Sequence, residues 1–191
     1  MQVTSGRRSQ IVEAMIEVIA SEGVRAASFA RIREHAGLSS TRLISYHFDS
    51  RAELLGAALT RIIELASERM SPRIAAATTS RGRLEAYIRS NIEFLAERPD
   101  YAVAAVEILS AIGTPADEDA AADTAEQLLT RLFADGQLAG EMRTLDAALY
   151  ASAVRAAIDR AVTRFARTPG LDLHRCADEL VELFDRAVRP E

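Results

Sequence analysis

The stretch SSTRLISYHFDS, residues 39–50, holds the side chains of this sequence that are best suited to chemistry. His47 could be a catalytic or metal-binding residue, could pack in a core, or could belong to a surface that contacts a charged partner. Tyr46 precedes it, and Arg42 follows two serines and a threonine. The plain alternatives are that Tyr46 and His47 only pack a small domain and that Arg42 is a solvated surface charge.

Catalysis needs several reactive groups that converge on one point, and the sequence shows no such set. His174 and Cys176 are two residues apart, so on a helix they point in different directions, unlike a metal-binding pair three or four apart. The patterns HExxH, CxxC, GxSxG and a phosphate-binding loop are not found. We therefore expect no catalytic residue, no metal ligand and no cofactor.

The elements that must position residues 39–50 are helices. Apolar residues recur at helical spacing almost everywhere, which predicts an all-α fold of about nine helices. The first three are expected at residues 5–22, 28–35 and 39–47, with Gly23 ending the first and Gly37 in the turn after the second. This is the layout of a helix-turn-helix, whose second member enters the DNA major groove.

The remaining helices follow from capping signals and breakers. Ser50 and Glu53 fit a capping box that opens a fourth helix, which is expected to end near Ser71, before Pro72, or to resume as far as Ala77. The others are predicted at residues 81–97, 100–112, 115–134, 145–167 and 172–188, with Gly136 and Gly140 in a loop.

Charge is distributed unevenly along the 191 residues. The net charge of −5 argues against a wholly basic nucleic-acid binder. Residues 1–51 nevertheless carry +2, whereas residues 52–191 carry −7, which permits a phosphate-bearing partner at the N-terminal end. Cys176 is the single cysteine, and neither a membrane span nor a secretory leader is recognisable, so we expect a cytoplasmic protein.

The predicted third helix has the chemistry of a DNA-binding helix. Hydroxyls and Arg42 crowd its first turn, where free backbone N–H groups suit phosphates and base edges. Leu43 and Ile44 can anchor the helix inward, and Phe48 can close it as a core residue, which leaves Tyr46 and His47 near the DNA backbone.

Two segments of the sequence are similar to those of a known protein family. The segment SFARIREHAGLSSTRLISYHFDSRAELLGAAL is similar to the DNA-binding segment of TetR-type (tetracycline-repressor-like) transcriptional regulators, and the upstream SQIVEAMIEVIASEGVRAASF is similar to the family's first helix and linker. From Gly37 to Phe48 the chain is one residue longer than the commonest pattern, which leaves open which of Thr41, Arg42, Leu43 and Ser45 face the groove.

The resemblance implies a DNA-binding domain over residues 1–50 and a helical ligand-binding and dimerisation domain over residues 51–191. It implies a homodimeric regulator and favours a repressor that a small molecule releases from a palindromic operator, although the sequence does not distinguish a repressor from an activator. The alternative is a helical small-molecule-binding protein that does not bind DNA. The residues expected at DNA are Ser28, Ser39, Ser40, Thr41, Arg42, Ser45, Tyr46, His47 and Arg51; for Arg51 an exposed ion pair is the alternative.

Two further sites are expected in the larger part. Glu107 interrupts the apolar run YAVAAVEILSAI, so it must be paired, protonated or face a cavity. The candidate effector pocket comprises Tyr87, Asn91, Phe94, Tyr101, Glu107 and Tyr150, each of which could instead be structural. The expected dimer interface, implied by the resemblance and built from small residues of the eighth helix and a heptad-like stripe of the ninth, comprises Ala148, Ser152, Ala156, Leu173, Ala177, Leu180 and Phe184. The alternative is that both stripes are internal core.

Overall fold

The computed structural model describes residues 2–112, 118–168, 170 and 172–190; within its helices the side chains of residues 2–5, 112, 118–124, 166 and 167 are left out of the description. These residues form nine helices and confirm the all-α prediction. In chain order they are α1 (Gln2–Glu22), α2 (Phe29–His35), α3 (Arg42–His47), α4 (Arg51–Ala76), α5 (Ser80–Glu97), α6 (Pro99–Ile112), α7 (Glu118–Leu138), α8 (Ala147–Arg167) and α9 (Leu173–Val188). None of these helices is long and apolar enough to cross a bilayer.

The signals read at the ends of α1 and α2 are confirmed. Gly23 follows α1 with a φ of 84°, and Gly37 follows α2 with a φ of 62°, both in the left-handed region that favours glycine. Ser28 caps α2, since its side chain accepts a hydrogen bond from the Arg31 N–H. The helix α3 begins at Arg42, slightly later than expected, because the Arg42 N–H bonds to the side chain of Ser40 in the preceding turn.

The prediction that Pro72 ends or interrupts the fourth helix is wrong, because α4 runs through it to Ala76. Pro72 removes one backbone donor, but it is exposed and lies near the C-terminal end of α4, where the unpaired carbonyl can bind water. The capping signal at the start of α4 is confirmed: the Glu53 N–H donates to Ser50 Oγ at 3.1 Å, and the Glu53 carboxylate accepts from the Asp49 N–H at 2.6 Å.

Gly136 does not lie in a loop, contrary to prediction, since α7 continues to Leu138. A Cβ at this position would lie 2.6 Å from Met142 Sδ and 3.0 Å from the Cβ of Ser80. Glycine is therefore required by close packing rather than by a turn. The turn is made by Gly140, whose φ is 69°.

Backbone contacts divide the chain into two compact units. The first unit comprises residues 1–65 together with residues 98–113, and in it α1 packs against α2 and α6. Its fully buried side chains include Met15, Ile32, Ile44, Phe48 and Tyr101. The predicted boundary after residue 50 differs from this division, because the start of α4 and all of α6 belong with the helix-turn-helix.

The second unit comprises residues 66–97 and 114–191. In it α5 packs against α9, and α7 packs against α8. The core of this unit joins side chains of α4, α5, α7, α8 and α9 with Met142 of the connecting segment, among them Ile88, Leu129, Phe133, Val154 and Phe184.

Candidate functional site

The helix α3 has one inward and one outward face. Ile44 is fully buried and Phe48, directly after α3, is 1% exposed, so these two anchor the helix. Arg42, Ser45 and Tyr46 are exposed, and Tyr46 is 78% exposed. The alternative that Tyr46 packs the core is therefore excluded. A short helix that presents a cation, a hydroxyl and an aromatic ring to solvent is suited to bind a polyanion with readable edges.

Some of the hydroxyl groups expected to contact DNA already accept hydrogen bonds within the protein, and others are exposed. Ser28 and Ser40 each accept a backbone hydrogen bond, from Arg31 at 3.3 Å and from Arg42 at 3.1 Å. Their hydroxyl protons can still be donated to an anion. Ser39 and Thr41 are exposed, and Thr41 makes no side-chain capping bond although it stands at the N-cap of α3.

His47 is half-buried at the end of α3, and its ring packs edge-on against Tyr46, with 5.1 Å between the ring centroids. Across the described ranges, no group of three or more His, Cys, Asp or Glu side chains is arranged to hold a metal ion. The pair Tyr46–His47 thus forms an amphipathic ridge at the C-terminal end of α3, and its contact with DNA stays a prediction.

Arg51 has a role that was not predicted. Its side chain is half-buried and donates two hydrogen bonds to backbone carbonyls of the loop between α1 and α2, from Nε to Ala27 at 2.9 Å and from Nη2 to Val24. Neither the expected phosphate contact nor the exposed ion pair describes this arrangement. The guanidinium holds the loop, and the phosphate contact stays a prediction.

The start of α1 is attached to the helix-turn-helix. Gln10 Nε2 donates to the Ala36 carbonyl at 2.9 Å, and Arg7 Nη1 donates to Gln10 Oε1 at 2.7 Å. The guanidinium of Arg8 lies 4.8 Å from the centroid of the Phe48 ring, a cation–π contact. The contacts of Gln10 with Ala36 and of Arg8 with Phe48 join residues distant in sequence, so no local pattern could predict them.

The arginines of the first unit differ in whether they form an ion pair with an acidic side chain. Arg31 binds Glu22 and Glu34, and the hydrogen bond from Arg31 lowers the pKa of Glu22. Arg25 and Arg42, by contrast, are exposed and have no ion pair within the described part of the chain. The charges of Arg25, in the loop before α2, and of Arg42, on α3, are therefore available to a partner.

Two of the six predicted pocket residues lie in the first unit rather than at the centre of the larger domain. Tyr101 is 2% exposed, and its hydroxyl donates to Glu13 Oε2 at 2.5 Å. Burial raises the pKa of Tyr101, and the bond to the Glu13 carboxylate raises it further. Glu107 accepts a hydrogen bond from the Val24 N–H at 3.3 Å. Both polar groups make contacts within this unit, and their assignment to an effector pocket stays a prediction.

The other four candidates lie in the second unit. Tyr87 is buried, and its hydroxyl accepts a hydrogen bond from Arg155 Nη1 at 3.2 Å. Asn91 is one turn further along α5 and donates to the Tyr87 carbonyl at 2.9 Å. Phe94 is also buried, and Tyr150 packs edge-on against Phe133 with 5.9 Å between centroids. Their assignment to a ligand pocket stays a prediction.

Sequence reasoning missed the charged partners of Tyr87. Arg155 Nη2 donates to Asp159 Oδ1 at 2.9 Å, one turn along α8. Burial raises the pKa of Asp159, Arg155 opposes this rise, and the nearby Glu126 adds to it. The spacing of Arg155 and Asp159 on a helix rich in alanine was the available signal.

The predicted interface residues of α8 and those of α9 differ in their exposure to solvent. On α8, Ala148, Ser152 and Ala156 are exposed, as a contact surface requires. On α9, the stripe formed by Leu173, Ala177 and Phe184 is buried in the second unit's core, with Phe184 7% exposed. These three residues are internal core because α5 packs against this side of α9. Their assignment to a dimer surface is corrected, whereas Leu180 is half-buried.

A second apolar stripe on α9 faces outward. It consists of Cys176, Leu180, Leu183 and Ala187, which recur at intervals of four, three and four residues. Leu183 is 57% exposed, and the other three are half-buried. On α8, Leu149 is 64% exposed beside the small exposed residues. We call Cys176, Leu180, Leu183 and Ala187 the outer stripe.

The family model described as "Bacterial regulatory proteins, tetR family" matches residues 11–58, whereas no curated protein matches the chain.

Three solved structures have a similar fold over nearly their whole length. One is a putative transcriptional regulator from Saccharomonospora viridis in complex with choline, with 22% identity and a TM-score of 0.84 over 98% of this chain and 100% of that one. AibR in complex with isovaleryl coenzyme A and operator DNA has 21% identity and a TM-score of 0.76 over 93% and 97%. A putative TetR-family transcriptional regulator from Rhodococcus sp. has 25% identity and a TM-score of 0.78 over 95% and 98%. The resemblance predicted from the sequence is thus confirmed over residues 11–58, the helix-turn-helix segment, which matches the model of the tetR family of bacterial regulatory proteins.

Proposed function

We propose that the chain is a homodimeric transcriptional regulator that binds operator DNA through α3 and is released from it by a small molecule. The observation that carries the proposal is the outward face of α3, where Arg42, Ser45 and Tyr46 are exposed on a helix anchored by Ile44. The matched family segment covers this helix and supports the same role. The proposed activity is binding and not catalysis.

The experiment is a selection of DNA fragments from a random pool by the full-length protein, followed by gel-shift titration of the selected duplex. We expect tight binding to one palindromic sequence and much weaker binding to random duplex. Equal affinity for both would contradict the proposal, and no binding would favour the alternative of a helical small-molecule-binding protein.

The proposed dimer uses α8 and α9. Exposed Leu149 and small residues on α8, together with the outer stripe on α9, supply apolar surface that a second copy can cover. Small side chains allow close approach of a facing helix. A dimer also fits a palindromic operator, because two-fold symmetry in the protein matches two-fold symmetry in the DNA.

The proposed effector site lies in the second unit, around Tyr87, Asn91 and Arg155. Buried polar groups inside an otherwise apolar core orient ligands in many binding proteins. The structural neighbours bound to choline and to isovaleryl coenzyme A support a small-molecule effector without indicating its chemistry. An effector can release DNA only if it binds the DNA-free conformation more tightly than the DNA-bound one.

A further inference from the structure

Val24, in the loop between α1 and α2, is held at both of its backbone polar groups by charged side chains from two other helices. Its N–H donates to Glu107 Oε2 of α6 at 3.3 Å, and its carbonyl accepts a hydrogen bond from Arg51 Nη2 of α4. All three residues belong to the first unit. We call Glu107, Val24 and Arg51 the loop clamp.

The loop depends on these bonds for its position. Gly23 directs the chain away from α1, and only short backbone bonds such as Ala26 N–H to the Gly23 carbonyl, at 3.1 Å, hold the turn internally. Hydrogen bonds to a charged partner are stronger than neutral ones. A Cβ at Gly23 would be 3.7 Å from Glu107 Oε2, so the carboxylate approaches the turn closely. The loop clamp therefore fixes the path from α1 to α2.

The residue that this path presents is Arg25. It follows Val24 directly, its side chain is exposed, and among the described residues it has no ionic or hydrogen-bonding partner. Ser28, three residues later, caps α2, the first helix of the helix-turn-helix. This first helix crosses the DNA backbone while the second occupies the groove. The loop thus lies before the helix end that would approach phosphates.

We propose that Arg25 contacts a DNA phosphate and that Glu107 and Arg51 are positioning residues which hold it in place through Val24. The inference rests on the DNA binding proposed above. For a change at Glu107, the positioning role and the loss of negative charge predict opposite effects on DNA affinity. Removing an anion from a DNA-binding unit should strengthen DNA binding by reducing repulsion. Truncating Glu107 to alanine should instead weaken binding, because the Val24 N–H loses its acceptor and Arg25 is no longer held in position.

The first test measures affinity and its salt dependence by fluorescence anisotropy, using the full-length protein and a labelled duplex selected from a random pool by the wild type. We expect Arg25→Ala and Glu107→Ala each to weaken binding about tenfold and to lower the magnitude of the salt slope by about one unit. The double variant should lose no more than Arg25→Ala, because both changes remove the same contact.

Matched control variants separate the effect of the position of Arg25 from the effect of net charge. Glu64→Ala removes the same charge from an exposed site on α4 in the same unit, and it should leave affinity unchanged or slightly increased. Arg131→Ala removes an exposed arginine of α7 in the second unit and should leave the salt slope unchanged. Glu107→Gln retains an acceptor oxygen for the Val24 N–H and should bind DNA nearly as well as the wild type.

The second test measures amide hydrogen exchange of Val24 without DNA. Glu107→Ala should speed exchange by about tenfold or more, and Glu107→Gln should retain most of the protection. Unchanged exchange in Glu107→Ala would overturn the loop clamp whether or not the protein binds DNA.

The outcomes of the two tests are distinguishable. If the wild type binds its selected duplex but Arg25→Ala keeps the wild-type salt slope, the phosphate contact is wrong while the proposed function stands. Additive losses in the double variant, or tighter binding by Glu107→Ala, would overturn the positioning role. A wild type that binds no DNA would overturn the proposed function itself. Arg25→Ala removes an exposed side chain, so this arm remains decisive even if Glu107→Ala does not fold.

Discussion

Leu183 offers the sharpest test of the proposed dimer. It lies in the outer stripe of α9 and is 57% exposed in the protomer, whereas the neighbouring Phe184 is 7% exposed in the core. Burying a leucine side chain completely contributes about 1.5–3 kcal/mol. The fraction still exposed would therefore contribute about 1–1.5 kcal/mol per chain, or about 2–3 kcal/mol in a two-fold symmetric interface where Leu183 is buried twice.

Truncation of Leu183 to alanine removes most of this contribution. We expect the dimer dissociation constant of Leu183→Ala to rise roughly 30- to 150-fold. Leu183→Glu places a carboxylate in the same apolar seam, which adds a desolvation cost of several kcal/mol unless the group finds a partner. We therefore expect Leu183→Glu to be monomeric but still helical.

Sedimentation equilibrium over a range of protein concentrations measures the dissociation constant, and far-ultraviolet circular dichroism checks that the helices persist. Leu138→Ala and Leu138→Glu are matched controls, because Leu138 of α7 is 87% exposed and lies outside the outer stripe. They should leave the dimer constant unchanged. A Leu183→Glu protein that dimerises as tightly as the wild type would refute the assignment of the outer stripe.

Three further predictions concern the groove, the core and the first unit. Arg42→Ala should cost about 1–3 kcal/mol on the selected duplex and much less on random DNA, measured by anisotropy; equal losses on both would mark Arg42 as a backbone contact. Phe184→Glu should abolish the cooperative thermal transition followed by circular dichroism, because it buries a carboxylate in the second unit's core; a folded monomer would contradict this burial. Tyr101→Phe should cost about 1.5 kcal/mol in urea unfolding, since a bond to a charged acceptor is lost while Arg61 still pairs with Glu13. Because the pKa of Tyr101 is raised in the folded protein, its hydroxyl contributes fully to stability below the unfolded-state pKa, and this contribution is lost as pH rises through the folded-state pKa. The loss of stability at alkaline pH should therefore be smaller in Tyr101→Phe than in the wild type. An equal loss in both proteins would contradict the pKa shift.

Features set by neighbouring residues could be predicted from the sequence. The cap at Ser28, the left-handed conformation of Gly37 and the capping box at Ser50 and Glu53 all depend on contacts within a few residues. The helix-turn-helix and the exposure of Arg42 follow from the same local signals. These signals survive folding because no distant partner competes with them.

Features set by distant partners could not be predicted. On α9 the predicted stripe of Leu173, Ala177, Leu180 and Phe184 and the outer stripe have the same helical spacing and share Leu180, so only the packing of α5 decides which one is internal. The location of α6 could not be read either, because the helix is apolar almost all round and its partner α1 lies about eighty residues earlier in the chain. For the same reason the hydrogen bond between the Val24 N–H and Glu107 could not be predicted.

The grouping of α6 with the helix-turn-helix limits how this protein can be cut and recombined. A fragment ending near residue 65 would lack α6 and would expose to water the surface of α1 against which α6 packs. Glu13 would lose its bond to Tyr101, and Val24 would lose its bond to Glu107. Such a fragment is expected to aggregate or to unfold easily. A chimera that transfers the DNA specificity of this chain to another regulator must therefore carry residues 98–113 together with residues 1–65. The unit proposed to bind DNA is compact in space but consists of two separate stretches of the sequence.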